Sequence, residues 1–265
     1  MSEQEAPHSQ AGAIRSGAGA LVVVPTFNEA ENIEAILKAV AAAAPEAGVL
    51  VVDDGSPDGT AALVDQAAAA DGRIHLLRGQ GKAGLGAAYV RGFNWGLAAG
   101  YQRFVEMDAD FSHDPGTIPD LLATTETCDV AIGSRYMPGG GVVGWSKGRH
   151  ALSMGGNLYS RIALGFGVRD STSGFRCYRA RVLNAIDLPS VRSNGYAFQI
   201  DMTYRSWRLG YRICEIPITF RERSLGASKM SKSIVSEALM AVAGWGARDL
   251  VRRQRRPGTP PSSDG

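Results

Sequence analysis

The sequence predicts an α/β domain on a mostly parallel central sheet with helices on both faces. Three observations predict it. Short β-branched runs such as LVVV and VLVV are continuously apolar rather than alternating, as in strands buried on both sides. They alternate with stretches whose apolar residues recur at helical spacing. The connections are short, and acidic residues end the second and fourth runs, where such sheets gather functional groups.

Each element follows from its local pattern. ALVVVPTF (20–27) is a buried strand closed by Pro25, and EAENIEAILKAVAAAA is a helix with acids in its first turn. VLVVDDGSPDG (49–59) is a strand breaking into a turn, TAALVDQAAAA a helix, and RIHLLR a third strand. LGAAYVRGFNWGLAAG is a helix, RFVEMDAD a fourth strand, PGTIPDLLATTE a helix with Pro115 near its start, and CDVAIGSRY a fifth strand. Beyond Tyr136, MPGGGVVGWSKGRH reads as a glycine-rich loop, ALSMGGNLYSRIALGFG and AFQIDMTYRSWRLG as helices, and YRICEIPITFRERS as strand. IVSEALMAVAGWGARDLVRRQRR is the last helix. The expected organisation is a disordered lead over 1–19, one domain over 20–230, an amphipathic helix over 231–254 and a disordered tail over 255–265.

Composition bounds the function. The 265 residues are 45% hydrophobic and 20% charged, ordinary for a globular chain with a full-sized core. A formal net charge of +2 is too mild to imply nucleic-acid binding. Cys128, Cys177 and Cys214 lack metal spacing and are expected as buried reduced thiols of a cytoplasmic protein. No apolar run reaches the roughly 20 residues of a membrane span; the best candidate is broken by Glu237, Arg248 and Asp249. The N-terminus has neither signal-peptide nor transit-peptide character.

Two motifs compete. GQGKAG (79–84) matches the dinucleotide-binding glycine pattern and would suggest an NAD-dependent oxidoreductase. It follows the third strand, however, whereas that fingerprint belongs to the first β–α turn. The rival signal is acidic. Asp53 and Asp54 end the second strand, and Asp108 and Asp110 end the fourth as D-x-D. Side by side these carboxylates repel unless a divalent cation sits between them. Oxygen ligands suit Mg2+ or Mn2+, which bridge carboxylates to a diphosphate and stabilise charge on a diphosphate leaving group.

VVVPTFNEAENI, VVDDGSPDGT, GKAGLGAAYVRG, MDADFSHDP, IGSRYMPGGGVVGW and YRICEIPITFRERSLGASKMS together resemble the family-2 glycosyltransferases of GT-A (Rossmann-like) fold. More narrowly they are similar to the dolichol- and polyprenol-phosphate mannose synthases, over residues 20 to about 240. The resemblance implies inverting transfer of mannose from GDP-mannose to a polyprenyl phosphate, with a UDP-glucose-dependent polyprenyl-phosphate glucosyltransferase as the near alternative. It places donor binding on Pro25, Phe27, Glu29, Val52, Asp54, Asp108, Ala109, Asp110, Arg223 and Lys229, and metal binding on Asp108, Asp110 and Ser112. Ser112 stands where some relatives have Gln, and Phe27 where Tyr is frequent. Acceptor phosphate falls to Arg135, Arg149 and Ser153, and catalysis to Asp108, Asp110 and Arg135. His113 reads as a turn residue. A phosphate acceptor is already largely dianionic at neutral pH, so no dedicated base is assigned.

The small-residue runs PGGGVVGW and RSLGASKMSKS are expected to be mobile lids. The last helix, with Ile234, Val235, Ala238, Leu239 and Val242 on one side and RRQRR after it, suits either the cytoplasmic membrane surface or packing on the core with a basic end. A membrane-embedded partner protein is implied by relatives that borrow an anchor.

Overall fold

The computed structural model describes residues 7–79, 81, 83–222 and 232–252, with side chains described for 12–79, 81, 83–222 and 238–248. Strand β1 (Ala20–Thr26) pairs in parallel with β2 (Gly48–Asp53) on one side and β4 (Arg103–Glu106) on the other. β3 (Ile74–Arg78) extends the sheet beyond β2. On the far flank β7 (Arg176–Arg179) runs antiparallel between β4 and β5 (Val130–Ser134), and β8 (Ile213–Pro217) lies parallel to β5. The order is β3-β2-β1-β4-β7-β5-β8. The mostly parallel sheet is as the sequence predicts, with β7 as its one reversed strand.

Helices cover both faces, because alternate residues of each strand point opposite ways. On one face Val22, Val24, Val51, Val105 and Met107 pack on α2 (Ile33–Ala43) and α5 (Ile118–Thr124). On the other, Leu21, Val23, Leu50, Val52 and Phe104 pack on α4 (Leu85–Ala98) and α8 (Gly195–Arg208). Helix α4 sits unusually close to the sheet. A Cβ on Gly92 would stand 2.6 Å from Val23 Cγ1, and one on Gly96 2.5 Å from both Leu21 Cδ2 and Phe104 Cε1. The remaining helices are α1 (Pro7–Ser16), α3 (Thr60–Ala70), α6 (Lys147–Leu164), α7 (Ala180–Ala185) and α9 (Lys232–Arg252).

The structure departs from the sequence expectations in three places. The lead is not disordered through residue 19: α1 docks Ile14 against the core, and Arg15 donates to Asp120 of α5 at 2.7 Å. Cys128 and Cys214 are not both thiols. They form a disulfide, because parallel pairing of β5 with β8 brings their Cα atoms within 6.1 Å. Cys177 is free and buried, and burial pushes its thiol up to about 12, which leaves it unreactive. The glycine-rich loop is not loose: Gly141–Val143 forms β6, parallel to β9 (Thr219–Arg221). Of the two roles expected for the last helix, α9 shows packing on the domain. Ala238 and Val242 are buried, and Trp245 stacks on Tyr204 at 6.2 Å. Leu239 and Met240 point outward, and the side chains of Ile234 and Val235 lie outside the described residues.

The tight α4–sheet contact predicts that Gly96→Ala destabilises the protein by about 1–3 kcal/mol through overpacking. That loss exceeds the gain of at most about 1 kcal/mol in helix propensity. Urea unfolding monitored by circular dichroism should show a lower midpoint.

Candidate functional site

The carboxyl ends of β1, β2, β3 and β4 form one edge of the domain. In register, Pro25 lies opposite Val52 and Thr26 opposite Asp53, so the predicted donor residues of β1 and β2 do come together. Asp53 is an organiser of this edge. Its carboxylate accepts from Thr26 Oγ1 (2.9 Å), Gly55 N (3.0 Å), Ser56 N (2.9 Å) and Ser56 Oγ (2.5 Å). The loop carrying Phe27 and Glu29 is laced to the next one: Asn28 N donates to Ser56 Oγ at 2.9 Å, and Glu29 N to Thr60 Oγ1 at 3.0 Å. Asp54, beside Asp53, accepts from Ala83 N at 3.1 Å and pairs with Arg91 of α4.

The acidic turn stands beyond the last residue of β4. Ala109 and Asp110 are buried, and Asp108 is half-buried. Ser112 N donates to Asp110 Oδ1 at 3.0 Å, and Phe111 takes a left-handed φ of 57°. That conformation is uncommon for an aromatic residue and costs about 1–2 kcal/mol. Arg221 N anchors the turn by donating to Ser112 O at 3.1 Å. Ser112 Oγ is buried and has no hydrogen-bond partner among the described residues.

This turn fits a divalent cation of one kind. Among the described residues no three His, Cys, Asp or Glu side chains converge as a complete metal cage. Two carboxylates and one orphaned hydroxyl leave most ligand positions to be filled by water or phosphate oxygens, which is how Mg2+ and Mn2+ are held with nucleotides. His113 is not a ligand by exposure. It is buried, stacked on Phe175 at 5.0 Å and edge-on to Phe220 at 5.5 Å. Burial lowers it to about 4, against the opposing pull of Asp110, so it is neutral at physiological pH.

Beneath the turn lies a buried polar layer that sequence reasoning missed. Glu106 stands opposite Arg176 across β4 and β7. Gln199 Nε2 donates to Glu106 Oε2 at 2.8 Å, and Arg176 donates to Ser171 O, Ser173 O, Gln199 O and Thr203 Oγ1. Burial raises Glu106 to about 7, with Arg176 and Gln199 opposing. Only a charged residue inside the apolar run FVEM hinted at this layer.

The predicted phosphate cations lie at the other end of the edge. Arg135 follows β5, is 5% exposed, and is held by Asp170: Nε donates to Oδ2 and Nη2 to Oδ1, each at 2.7 Å. Burial pushes Asp170 up, but Arg135's charge and hydrogen bonds outweigh it and the net shift is downward. Trp145 and Phe220 rings flank the guanidinium at 5.3 and 5.6 Å. Arg135 is thus a buried pin rather than an open clamp. Arg149, at the start of α6, stacks on Trp145 at 4.3 Å and pairs with Glu222. Ser153, one turn later, accepts from Tyr136 Oη at 2.7 Å. Arg223 and Lys229 lie outside the described residues.

Arg149 and Ser153 open onto a cleft between α6, α8 and α9, lined also by Trp145, Leu152, Ile200 and Leu239. Trp145 Nε1 and Arg149 Nε are buried donors with no partner among the described residues. Trp145 was not predicted as a site residue, although the sequence placed it in the GGGVVGW run.

Comparison with known proteins gives the family and the fold. The model of the family described as Glycosyl transferase family 2 matches residues 21–187. The chain is 52% identical over 237 residues to a polyprenol monophosphomannose synthase of Mycolicibacterium smegmatis, covering 89% of each. It is 52% identical over 226 residues to an undecaprenyl-phosphate mannosyltransferase of Micrococcus luteus, covering 85% of this chain and 93% of that one. Among solved structures, a glucosyl-3-phosphoglycerate synthase of Mycobacterium tuberculosis in complex with Mn2+, UDP-glucose and phosphoglyceric acid superposes with a TM-score of 0.64 at 19% identity. That match covers 93% of this chain and 86% of that one.

The buried groups predict a compensated pH response. Glu106 titrates near 7 when folded, against an ordinary 4.5, so the folded state holds more protons between these values and stability falls as pH rises. His113 is lowered from 6.5 to about 4, so the unfolded state holds more protons there and stability rises with pH. The two effects oppose one another. Glu106→Gln should remove the falling one, seen as urea midpoints that climb more steeply between about pH 4.5 and 6.5 than those of the parent.

Proposed function

The chain belongs to glycosyl transferase family 2, and from that premise we propose that it moves mannose from GDP-mannose to a polyprenyl phosphate, inverting the anomeric carbon. The observation that carries this reading is the cleft at Arg149. It joins an apolar lining to two N–H donors with no partner among the described residues, and Phe220, packed on both Trp145 and His113, links it to the acidic turn. An apolar channel with a polar mouth suits a phosphate on a long hydrocarbon and does not suit a sugar or a small phosphorylated acid. The two mannosyltransferase relatives support the same acceptor class.

Asp108 and Asp110 hold a divalent cation, Mg2+ or Mn2+, with Ser112 Oγ as a third oxygen. When bound, that ion stabilises charge on the departing diphosphate. Pro25, Phe27, Glu29, Val52 and Asp54 seat the nucleoside, and Ala109 backs the sugar diphosphate. Arg223 and Lys229 are assigned to its phosphates by sequence alone. Trp145 Nε1 and the Arg149 guanidinium hold the acceptor phosphate, Ser153 lines its seat, and Glu222 must release Arg149 for a full contact. Arg135 acts from behind Trp145: pinned by Asp170, it adds a fixed positive charge near the seat. The acceptor oxygen is already anionic, and neutral His113 is no proton donor, so positioning and electrostatics carry the reaction.

No helix among the described residues is long and apolar enough to cross a membrane. The acceptor must therefore be met at the bilayer surface, on its cytoplasmic face in this reading. Helix α6 exposes Met154, Leu158 and Ile162 (49, 53 and 75%) at four-residue spacing, with Leu239 and Met240 of α9 also exposed. It carries Lys147, Arg149 and Arg161 and no acidic residue, which suits anionic lipid. This face is also where a membrane-embedded partner protein would dock.

With radiolabelled GDP-mannose, polyprenyl phosphate and Mg2+ or Mn2+, label should enter the organic phase, and EDTA should abolish the transfer. Asp108→Asn with Asp110→Asn should lower it by about a thousandfold or more, read as lipid-phase counts. Transfer from UDP-glucose but not GDP-mannose would refute the donor assignment. Replacing Met154, Leu158 and Ile162 by Ser should weaken co-sedimentation with anionic liposomes by about tenfold or more. Turnover of a short, detergent-dispersed acceptor should be retained.

A further inference from the structure

The glycine-rich GQGKAG segment after β3 has no task in the sugar transfer described above. Its first glycine has one in the structure. A Cβ on Gly79 would stand 2.8 Å from Asp54 Oδ1 and 2.9 Å from Arg91 Nη1. A side chain there would push the Asp54–Arg91 pair out of its present arrangement, so a bare backbone at this point suits the pair. Arg91 Nη2 donates to Asp54 Oδ1, and Ala83 N to Oδ2 at 3.1 Å. The Asp54 side chain is 7% exposed and that of Arg91 33%. Arg91 Nε is buried with no partner among the described residues.

We infer that Arg91 is a positioning residue that fixes Asp54 as a reader of the donor's base, and that the pair selects guanine. This rests on the reading above, in which Asp54 faces the nucleoside. An ionised carboxylate only accepts hydrogen bonds. Guanine presents N1–H and the exocyclic N2–H side by side, two donors for two oxygens. Uracil presents one N–H between two carbonyls, so one carboxylate oxygen would face a carbonyl. Hypoxanthine keeps N1–H and lacks the exocyclic amine. Each Asp54 oxygen has one donor from the protein and a lone pair left over. Arg91 on one side and Ala83 on the other set the plane in which those lone pairs point. Without Arg91 the carboxylate can turn about its χ2 bond, and the two-donor match is lost. Binding through the diphosphate and metal remains.

The test is calorimetric titration of the full chain with GDP, inosine diphosphate and UDP in the presence of Mn2+. The parent should prefer GDP over inosine diphosphate on the order of ten- to a hundredfold, the worth of a hydrogen bond to a charged group. Arg91→Met should narrow that ratio to about threefold or less, by weakening GDP while inosine diphosphate changes little. Arg91→Lys, which keeps one charged donor, should restore part of the ratio and controls for folding, alongside melting temperatures. An unchanged GDP-to-inosine-diphosphate ratio in Arg91→Met, or a parent that binds the two alike, would overturn the inference while leaving the mannose-transfer reading standing. A parent that binds UDP as tightly as GDP would overturn that reading as well.

Discussion

Carboxylate repulsion at the tip of β4 is the constraint on which the site depends. Asp108 and Asp110 lie in one tight turn, and Glu106 is buried two residues below. Like charges this close disfavour one another's ionised forms. The fold answers the lower charge from inside: Arg176 stands across the strand pair, and Gln199 donates to Glu106. The upper two stand at the edge of the domain, where the proposed function places a divalent cation. The strained φ of Phe111 and the anchoring of Ser112 by Arg221 hold that turn against its own repulsion.

Much of this was legible in the sequence, for a definite reason. Strands buried on both faces must be continuously apolar, so LVVV, VLVV and VAIG announced β1, β2 and β5, and the acids that interrupt the pattern marked the functional edge. What escaped reading depends on contacts between distant segments. Asp170 and Arg135 are 35 residues apart; Arg135 read as a phosphate cation, and nothing local marked Asp170 as its partner. The disulfide needed the knowledge that β5 and β8 are neighbours, which no local pattern supplies. Helix α1 is held by Ile14 and by the Arg15–Asp120 pair rather than by its own propensity. Strand β7 was missed because its reversal arises from sheet order, not from RCYR itself.

The cations show why residue type alone misleads. Arg135, Arg149 and Arg176 were equally charged letters in the sequence, and the structure gives them three different states. Arg176 is fully buried and bonded to backbone and hydroxyl oxygens, so it is structural. Arg135 is matched bidentately to Asp170, and removing either partner would strand a buried charge. Arg149 stacks on Trp145, pairs with the exposed Glu222 and has an Nε with no partner among the described residues, so of the three it can rearrange at the smallest cost. A phosphate that binds and leaves in each turnover needs a movable cation in front of a fixed one. Arg149 before Arg135, with Trp145 stacked between them, provides that order.

The same logic joins the cleft to the bilayer. A hydrocarbon chain gains little by leaving lipid for protein unless the path between them stays dry. Leu152 and Leu239 line the cleft and are also among the exposed apolar residues of α6 and α9, so the channel wall runs out into the outer surface. An amphiphile entering here moves from one apolar medium to another, and only its phosphate has to exchange water for Trp145 and Arg149. Because α9 is packed on α6 and α8 rather than hanging free, the exposed apolar stripe and the cleft are held in one frame. In the proposed function, docking of that stripe at a membrane would fix where the acceptor phosphate arrives relative to the donor sugar, so that the orientation catalysis requires would be set before the sugar bond is broken.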